Sequence, residues 1–185
     1  MEGPIVCYMR LIDYNAAALT SYGTHTTEIA ATKDGIETAN PQFIPIQTYS
    51  SDVEQTLNIG SQSTGAGAGK ITYNPLRITK TLDGISTTLF QNAASGTPYK
   101  TVEIFFVHEK LGLQALQTYK LVAVKSVSWA AVSGEGTVTE SVAFEYGGFI
   151  LTVYQQNTNG SFAVLQSGWN RVRNISDNDV KAVIL

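Results

Sequence analysis

The stretch TVTESVAFEYGGFILTVY, residues 137–154, decides the fold class of this chain. From Thr137 to Tyr146 its apolar and polar residues alternate, which is the pattern of a β-strand with one face in a core. The apolar side of this alternation consists of Val138, Val142, Phe144 and Tyr146. Gly147-Gly148 then precedes a second apolar run, Phe149 to Tyr154. We predict one long strand with a bend or bulge at the glycine pair, because glycine relaxes the pleat.

Three further segments have the same period of two. Thr101 to His108 and Tyr119 to Trp129 read as strands with apolar residues on both faces. In Ile71 to Thr79 the apolar parity switches at Asn74-Pro75, so we predict a bulge there that returns both apolar pairs to one core. The two pairs are Ile71 with Tyr73, and Leu76 with Ile78.

One helix is predicted from Ile85 to Ala94, with Asp83 or Ser86 as its cap and Gly96 as its stop. A helix this short is marginal alone in water, so its apolar face must pack on the sheet. That face contains Ile85, Leu89, Phe90 and Ala93. Further along, Thr158-Asn159-Gly160 predicts a hairpin turn.

The 185 residues suit a single domain, residues 1–185, with a long polar connection at about 15–40 and a C-terminal extension at about 157–185. Twelve Lys and Arg against 15 Asp and Glu exclude a basic nucleic-acid binder. Charged residues make up only 15% of the chain. A surface this neutral can be covered by another subunit at little desolvation cost.

No catalytic, metal-binding or cofactor-binding set is predicted. Gly65 to Lys70 suggests a phosphate loop, but the spacing is one residue short, no Ser or Thr follows Lys70, and a strand rather than a helix comes next. His25 and His108 lack a nucleophile motif and a zinc-ligand spacing. The single Cys7 reads as a small buried hydrophobe rather than a reactive thiol.

The chain also shows no targeting or spanning segment. Glu2 and Arg10 interrupt what would be a signal peptide, and no apolar run approaches the roughly 20 residues of a spanning helix. We therefore expect synthesis in the cytoplasm without a signal peptide. Because the strands look apolar on both faces and only one helix is available to cover them, we infer that copies of the chain cover one another.

An ordered series of motifs resembles the haemolysin-coregulated protein (Hcp) family of type VI secretion systems. The series begins with a glycine-rich loop that leads into a strand, a Thr79-Lys80 pair, an Asp and a short helix ending in Gly. Thr139-Glu140-Ser141-Val142 is similar to the family's "PTESV" strand. The closing residues resemble its "DGS…GWD…N" element: Asn159-Gly160-Ser161, Gly168-Trp169-Asn170 and Asn174.

The resemblance implies a compact β-barrel of two packed antiparallel sheets with one short flanking α-helix. It implies hexameric rings that stack into the inner tube of a contractile injection machine and are expelled from a bacterium with the spike when the sheath contracts. It further implies that the tube can carry small effectors in its lumen and that the secreted protein is not an enzyme. No nucleic acid and no membrane insertion are expected. Under this reading we predict a loop that contacts stacked rings or neighbouring subunits: Ser61, Gly65, Gly67, Gly69 and Lys70. A second predicted interface is a face of one strand: Val122, Val124, Ser126 and Ser128.

Two alternatives stay open. A tail-tube subunit of a phage or extracellular injection particle shares the barrel, and neighbouring sheath and membrane-complex genes would separate it from a type VI subunit. A ligand-binding or hydrolytic β-barrel predicts instead a monomer with a concave pocket and converging polar groups.

Overall fold

The structure, a computed structural model, describes residues 5–12, 43–56, 70–108, 114–134 and 136–178. The connection predicted at 15–40, with His25, lies outside these residues. The described strands are β1 (Ile5–Ile12), β2 (Ile44–Ile46), β3 (Thr48–Ser50), β4 (Val53–Thr56), β5 (Lys70–Tyr73), β6 (Leu76–Thr81), β7 (Tyr99–His108), β8 (Gln114–Gly134), β9 (Thr137–Gln156), β10 (Phe162–Asn170) and β11 (Ile175–Ser176). The helix within them, α1, spans Ser86–Ser95. No described helix is long and apolar enough to cross a membrane.

The long strand β9 is the centre of the main sheet. Along one edge it pairs with β8, and along the other its first half pairs with β6 and its second half with β10. The main path of the sheet is β11-β10-β9-β8-β7-β1-β2, and every strand pairing within the described residues is antiparallel. The short strands β4 and β5 form a separate two-stranded ribbon.

Residues 44–50 form two short strands, β2 and β3, that pair at different places in the main sheet. β2 pairs with β1, whereas β3, which follows after Gln47, pairs with β6. The Gln47 backbone N–H donates to the Thr79 carbonyl. β2 and β3 therefore lie at the two ends of the paired series β1-β7-β8-β9-β6, and no closed barrel is found among the described strands. Within the described residues the mainly β class, the antiparallel sheets and one short helix are confirmed.

The predicted bend lies where β9 passes Gly147-Gly148. Tyr146 and Phe149 both pack against the same core cluster, with their ring centroids 5.7 Å apart. Residues three apart in a regular strand point to opposite faces, so the strand must turn about its own axis at the glycines. The same three-residue step separates two core residues on β8, Leu121 and Val124, and two on β7, which lies beyond β8, Tyr99 and Val102. The bend therefore crosses three strands.

The helix α1 lies over one end of this core. Ile85, immediately before the first helical residue, and Leu89 have no exposed surface and belong to the main core cluster. The helix stops at Gly96, whose positive φ of 70° is a left-handed conformation that side chains disfavour. A helix of 10 residues is marginal alone in water, so it needs this packing of its apolar face against the core.

The prediction for residues 71–79 is wrong in one respect. Leu76 and Ile78 lie in the core without exposed surface, but Ile71 is 37% exposed in the ribbon. Asn74, between β5 and β6, donates its backbone and side-chain N–H groups to Asp52, before β4. The two strands therefore separate at Asn74-Pro75 and enter different sheets, and the two apolar pairs do not share one core.

The second face of β7 is buried within the subunit. Phe105 and Val107 form a small cluster with Phe43, and beside it Arg10 pairs with Glu103, both less than 5% exposed. The Arg10 guanidinium also lies 6.0 and 5.8 Å from the centroids of the Phe43 and Phe105 rings. The two-sided apolar character of Thr101 to His108 is thus satisfied within one chain and does not by itself require a neighbour.

Cys7 on β1 is partly buried against the core, and burial raises its pKa to about 12. The thiolate is the reactive form, and three pKa units lower its fraction at pH 8 about 1,000-fold. We expect iodoacetamide at pH 8 to alkylate Cys7 roughly 50-fold more slowly in the folded protein than in urea, because the greater nucleophilicity of a more basic thiolate offsets part of its lower fraction. Mass spectrometry follows the reaction. Similar rates in the two states would show that the thiol is accessible and ionises normally.

Candidate interaction surfaces

In sequence, the predicted contact loop connects β4 to β5, the two strands of the ribbon. Ser61, Gly65, Gly67 and Gly69 lie outside the described residues, and Lys70 opens β5. The base of the ribbon is fixed by Arg171, whose guanidinium lies 4.9 Å from the ring centroids of both Tyr73 and Tyr146. Arg171 also donates from Nη1 to Glu145 Oε2 at 2.9 Å and to the Tyr146 carbonyl at 2.7 Å. The ribbon that precedes and follows the loop is therefore held to the bend of the main sheet at its Tyr73 end, whereas Thr56 and Lys70 pair at its opposite end.

An open cleft of about 320 Å³ lies between this ribbon and β10. Its walls are Val53, Gln55, Ile71, Tyr73 and Trp169. Trp169 Nε1 is buried without a hydrogen-bond partner among the described residues. Its described lining residues carry no carboxylate, imidazole or amine. Among the described residues there is also no cluster of three metal-ligating side chains.

The four residues predicted as an interface on β8 do not share one exposed face. Val124 and Ser126 are buried inside the subunit, Ser128 is exposed, and only the backbone of Val122 is described. A register shift between Ser126 and Ser128 interrupts the alternation of inward and outward side chains along β8. After the shift, Ser128 is exposed and Trp129 packs against the core. Val124 and Ser126 are therefore not available to a neighbouring subunit.

Ser128 belongs instead to a broad outer face that we call the neutral face. The face is made by β3, β6, β9 and the second half of β8. Ile78 and Val142, which lie between its members, belong to the core. Three cross-strand rows form it: Ser50, Arg77, Ala143 and Ser128; Thr48, Thr79, Ser141 and Ala130; and Thr81, Thr139 and Val132. Arg77 is its single charged residue. Most of its members are exposed or half-buried, although Ala143 is covered by its neighbours.

The helix side of the molecule carries an aromatic pair. Phe90, predicted to pack on the barrel, remains 53% exposed and contacts the edge of Trp129, with ring centroids 5.1 Å apart. Ala93 is half-buried. The predicted packing face of the helix is therefore buried at Ile85 and Leu89 and only partly covered at its other two members.

A buried polar network lies beneath the helix. Lys80 Nζ lies 2.8 Å from Glu140 Oε1 and 2.7 Å from Asp83 Oδ1, and Lys80 and Glu140 are at most 1% exposed. Glu140 also accepts hydrogen bonds from Ser86 Oγ at 2.5 Å and from Trp129 Nε1 at 2.6 Å. The network thus joins β6, β8 and β9 to the start of α1.

Asp83 and Ser86 act together at this helix start. The Asp83 carboxylate accepts the Ile85 N–H at 3.1 Å, and Ser86 Oγ accepts the Asp83 N–H at 2.9 Å. This reciprocal arrangement satisfies backbone donors that a helix start leaves free. Both residues predicted as alternative caps therefore contribute, and no side chain bonds from the N-cap position itself, Ile85.

The sequence analysis missed the pairing of Lys80 with Glu140, although the alternation of apolar residues along the two strands indicates it. Lys80 has the parity of the core residue Ile78, and Glu140 has that of the core residue Val142. Two opposite charges on the inward faces of neighbouring strands predict a buried pair. The neutral face was missed for a different reason, because its rows depend on which strands are neighbours.

Comparison with known proteins identifies the family. Residues 35–153 match the sequence model of the family described as type VI secretion system effector, Hcp. No curated protein shows significant sequence similarity to the chain. Solved structures are similar in fold at low identity. A type six secretion system protein is 20% identical with a TM-score of 0.73, and the match covers 94% of this chain and 100% of that one.

Two Hcp proteins have similar folds. Hcp1 from Salmonella typhimurium is 13% identical with a TM-score of 0.63, and the match covers 96% of this chain and 100% of that one. Hcp1 from E. coli EAEC 042, a mutant form, is 17% identical with a TM-score of 0.62, and the match covers 90% and 100%. The family match spans more than half of the chain, and the described fold agrees with it. The chain belongs to the Hcp family of type VI secretion system proteins.

Proposed function

We propose that this protein is the inner-tube subunit of a type VI secretion system, forming hexameric rings that stack into an expelled conduit. The proposal rests on family membership together with one structural observation, the neutral face. Four strands wide and with one charged side chain, this face exposes mostly hydroxyl and methyl groups. Interface cores are depleted in charge, and such groups are covered at small desolvation cost.

In this proposal the subunit makes and breaks no bond. Its partners are further copies of itself, the sheath and spike of the machine, and small effector proteins in the lumen. It is made in the bacterial cytoplasm and leaves the cell through the machine.

Negative-stain electron microscopy of the purified protein tests the assembly directly. We expect six-membered rings with a central channel, and short tubes at high protein concentration. Sedimentation of the same sample should give a mass well above one subunit of 19.9 kDa. A single sharp monomer at all concentrations would overturn the proposal and favour a ligand-binding barrel.

The predicted contact loop gives a second test. Replacing Gly67 and Gly69 by leucine should shorten or abolish tubes while far-ultraviolet circular dichroism remains that of the parent. The physical reason is that bulky residues block close approach of another backbone, whereas glycine allows it. The matched Gly67→Ala/Gly69→Ala variant should assemble better than the leucine variant. Normal rings and tubes from both variants would assign the loop to an uninvolved surface.

A further inference from the structure

The single charge of the neutral face, Arg77, lacks a partner among the described residues. Its side chain is exposed, and its cross-strand neighbours are Ser50 on β3 and Ala143 on β9. It belongs to none of the ion pairs that the described residues form. A guanidinium keeps its charge in proteins, so a second copy that covers this face must place an anion opposite Arg77.

Glu54 on β4 is the one carboxylate without a partner among the described residues. It is exposed, and it takes part in no described ion pair or hydrogen bond. Every other carboxylate among the described residues has an interaction, and these are Asp52, Asp83, Glu103, Glu140, Glu145 and Asp177. The unpaired acid and the unpaired base of the neutral face therefore lie on two different surfaces of the subunit.

Glu54 lies on the side of the ribbon that points away from the cleft. The ribbon residues that line the cleft alternate along β4 and β5, and they are Val53, Gln55, Ile71 and Tyr73. Because successive side chains of a strand point to opposite faces, the residues between them lie on the reverse side. Those with described side chains are Glu54, Thr56 and Thr72, all exposed, and we call them the ribbon face.

The ribbon face and the neutral face match in chemistry. Each exposes hydroxyl groups beside one described charge, and the two charges, Glu54 and Arg77, are opposite. A guanidinium and a carboxylate can form two parallel hydrogen bonds, which fix the orientation of the partners as well as adding energy. A closed ring needs two different complementary surfaces on each subunit, one for the neighbour on either side.

We infer that in a ring Arg77 of one copy forms an ion pair with Glu54 of the next copy, whose ribbon face lies on the neutral face. The inference rests on the proposed function, because it assigns the ring contact to particular residues. Formation of the contact leaves neither charge unpaired, and the surrounding hydroxyl groups are covered at small desolvation cost. Around the ring, the same ion pair occurs once in each contact.

Charge reversal at either position tests the ion pair. Arg77→Glu and Glu54→Arg each place like charges opposite one another in a ring of identical copies. The protein concentration at which half of the chains form rings should therefore rise on the order of 100-fold, as measured by sedimentation. Both positions are exposed in the single subunit, so the urea midpoint of each variant should remain that of the parent.

An equimolar mixture of the two variants separates a contact between copies from a contact within one copy. When Arg77→Glu copies alternate with Glu54→Arg copies in a six-membered ring, every contact joins opposite charges. Rings should therefore return in the mixture at about the protein concentration that the parent requires. The double variant Arg77→Glu/Glu54→Arg should also form rings alone. Its matched control, Arg77→Glu/Gln155→Arg, has the same net charge but places the new cation outside both surfaces, and it should not form rings.

Single variants that assemble like the parent, or a mixture that remains unassembled, would overturn the inference. Single variants that keep rings but lose tubes would also overturn it and would assign the ion pair to contacts between stacked rings. The parent protein is run beside the variants in each experiment. A parent that forms no rings would overturn the proposed function and this inference with it, whereas parent rings without rescue in the mixture would overturn this inference alone.

Discussion

Replacing Lys80 with methionine should lower the free energy of unfolding by about 3–5 kcal/mol. Methionine matches the length of the stem and removes the ammonium group, which leaves Glu140 as a fully buried carboxylate without its cation. The hydrogen bonds from Ser86 and Trp129 remain, but they do not neutralise the charge. Urea unfolding followed by far-ultraviolet circular dichroism measures the loss.

The double variant Lys80→Met/Glu140→Gln separates the ion pair from simple packing. Because no buried charge is left unpaired and the Asp83 side chain is 41% exposed, the double variant should lose much less stability than the sum of the two single losses. Lys125 lies exposed on β8 and provides the matched control, since Lys125→Met should change stability by less than about 0.5 kcal/mol. If Lys80→Met costs no more than Lys125→Met, the network contributes nothing to stability.

The second large effect concerns assembly. Ala130→Glu places a carboxylate in the middle row of the neutral face, where position 130 is exposed in the single subunit. We expect rings and tubes to disappear in negative stain, because each contact would bury an unpaired charge at a cost of several kcal/mol. The subunit should keep its stability, since an exposed position accepts a charge with a change of about 0.5 kcal/mol or less.

Two controls accompany this variant. Ala130→Ser keeps the face neutral and should assemble normally. Gln155→Glu introduces the same charge at an exposed position of β9 away from the neutral face and should also assemble normally. Rings from Ala130→Glu that match those of both controls would show that the neutral face contacts no other copy.

The sequence predicted the main strands and the helix because their patterns are local. The alternation in residues 137–154 and the glycine pair indicated one long strand with a bend, and β9 is that strand. The helical spacing before Gly96 predicted α1 to within one residue at each end. The Thr158-Asn159-Gly160 turn indeed joins β9 to β10. In each of these cases a run of neighbouring residues contains the whole signal.

The errors arose where the face on which a side chain lies, or the strand with which a segment pairs, depends on the rest of the fold. A single bulge at Ser126 to Ser128 reversed the faces of β8, and nothing in its sequence marks that bulge. At Asn74-Pro75 the prediction placed a bulge within one core, but the bond from Asn74 to Asp52 directs the chain into a second sheet. Partners distant in sequence decided both outcomes.

Several of the described motif residues that suggested the family have structural roles. Lys80 and Glu140 meet in the buried polar network. The later motif residues shape turns: Gly168 admits the Asp177 carbonyl, Asn170 accepts the Arg173 N–H, and Asn174 adopts a positive φ of 54°. The motifs therefore specify how the subunit folds. The neutral face could not be predicted from these motifs. Its rows depend on which four strands lie side by side, and no local sequence pattern shows that order.

The pairing of β1 with β7 sets an order of folding during synthesis. Ile5 pairs with His108, so β1 leaves the ribosome long before its partner exists. The β8–β9 hairpin can form as soon as both of its strands are made, whereas β1 must close a much longer loop, and such closure slows folding. Until then β1 presents the run Ile5, Val6, Cys7, Tyr8 and Met9 without its strand partners. An apolar strand that waits for its partner is surface of the kind that makes incompletely folded chains prone to aggregation.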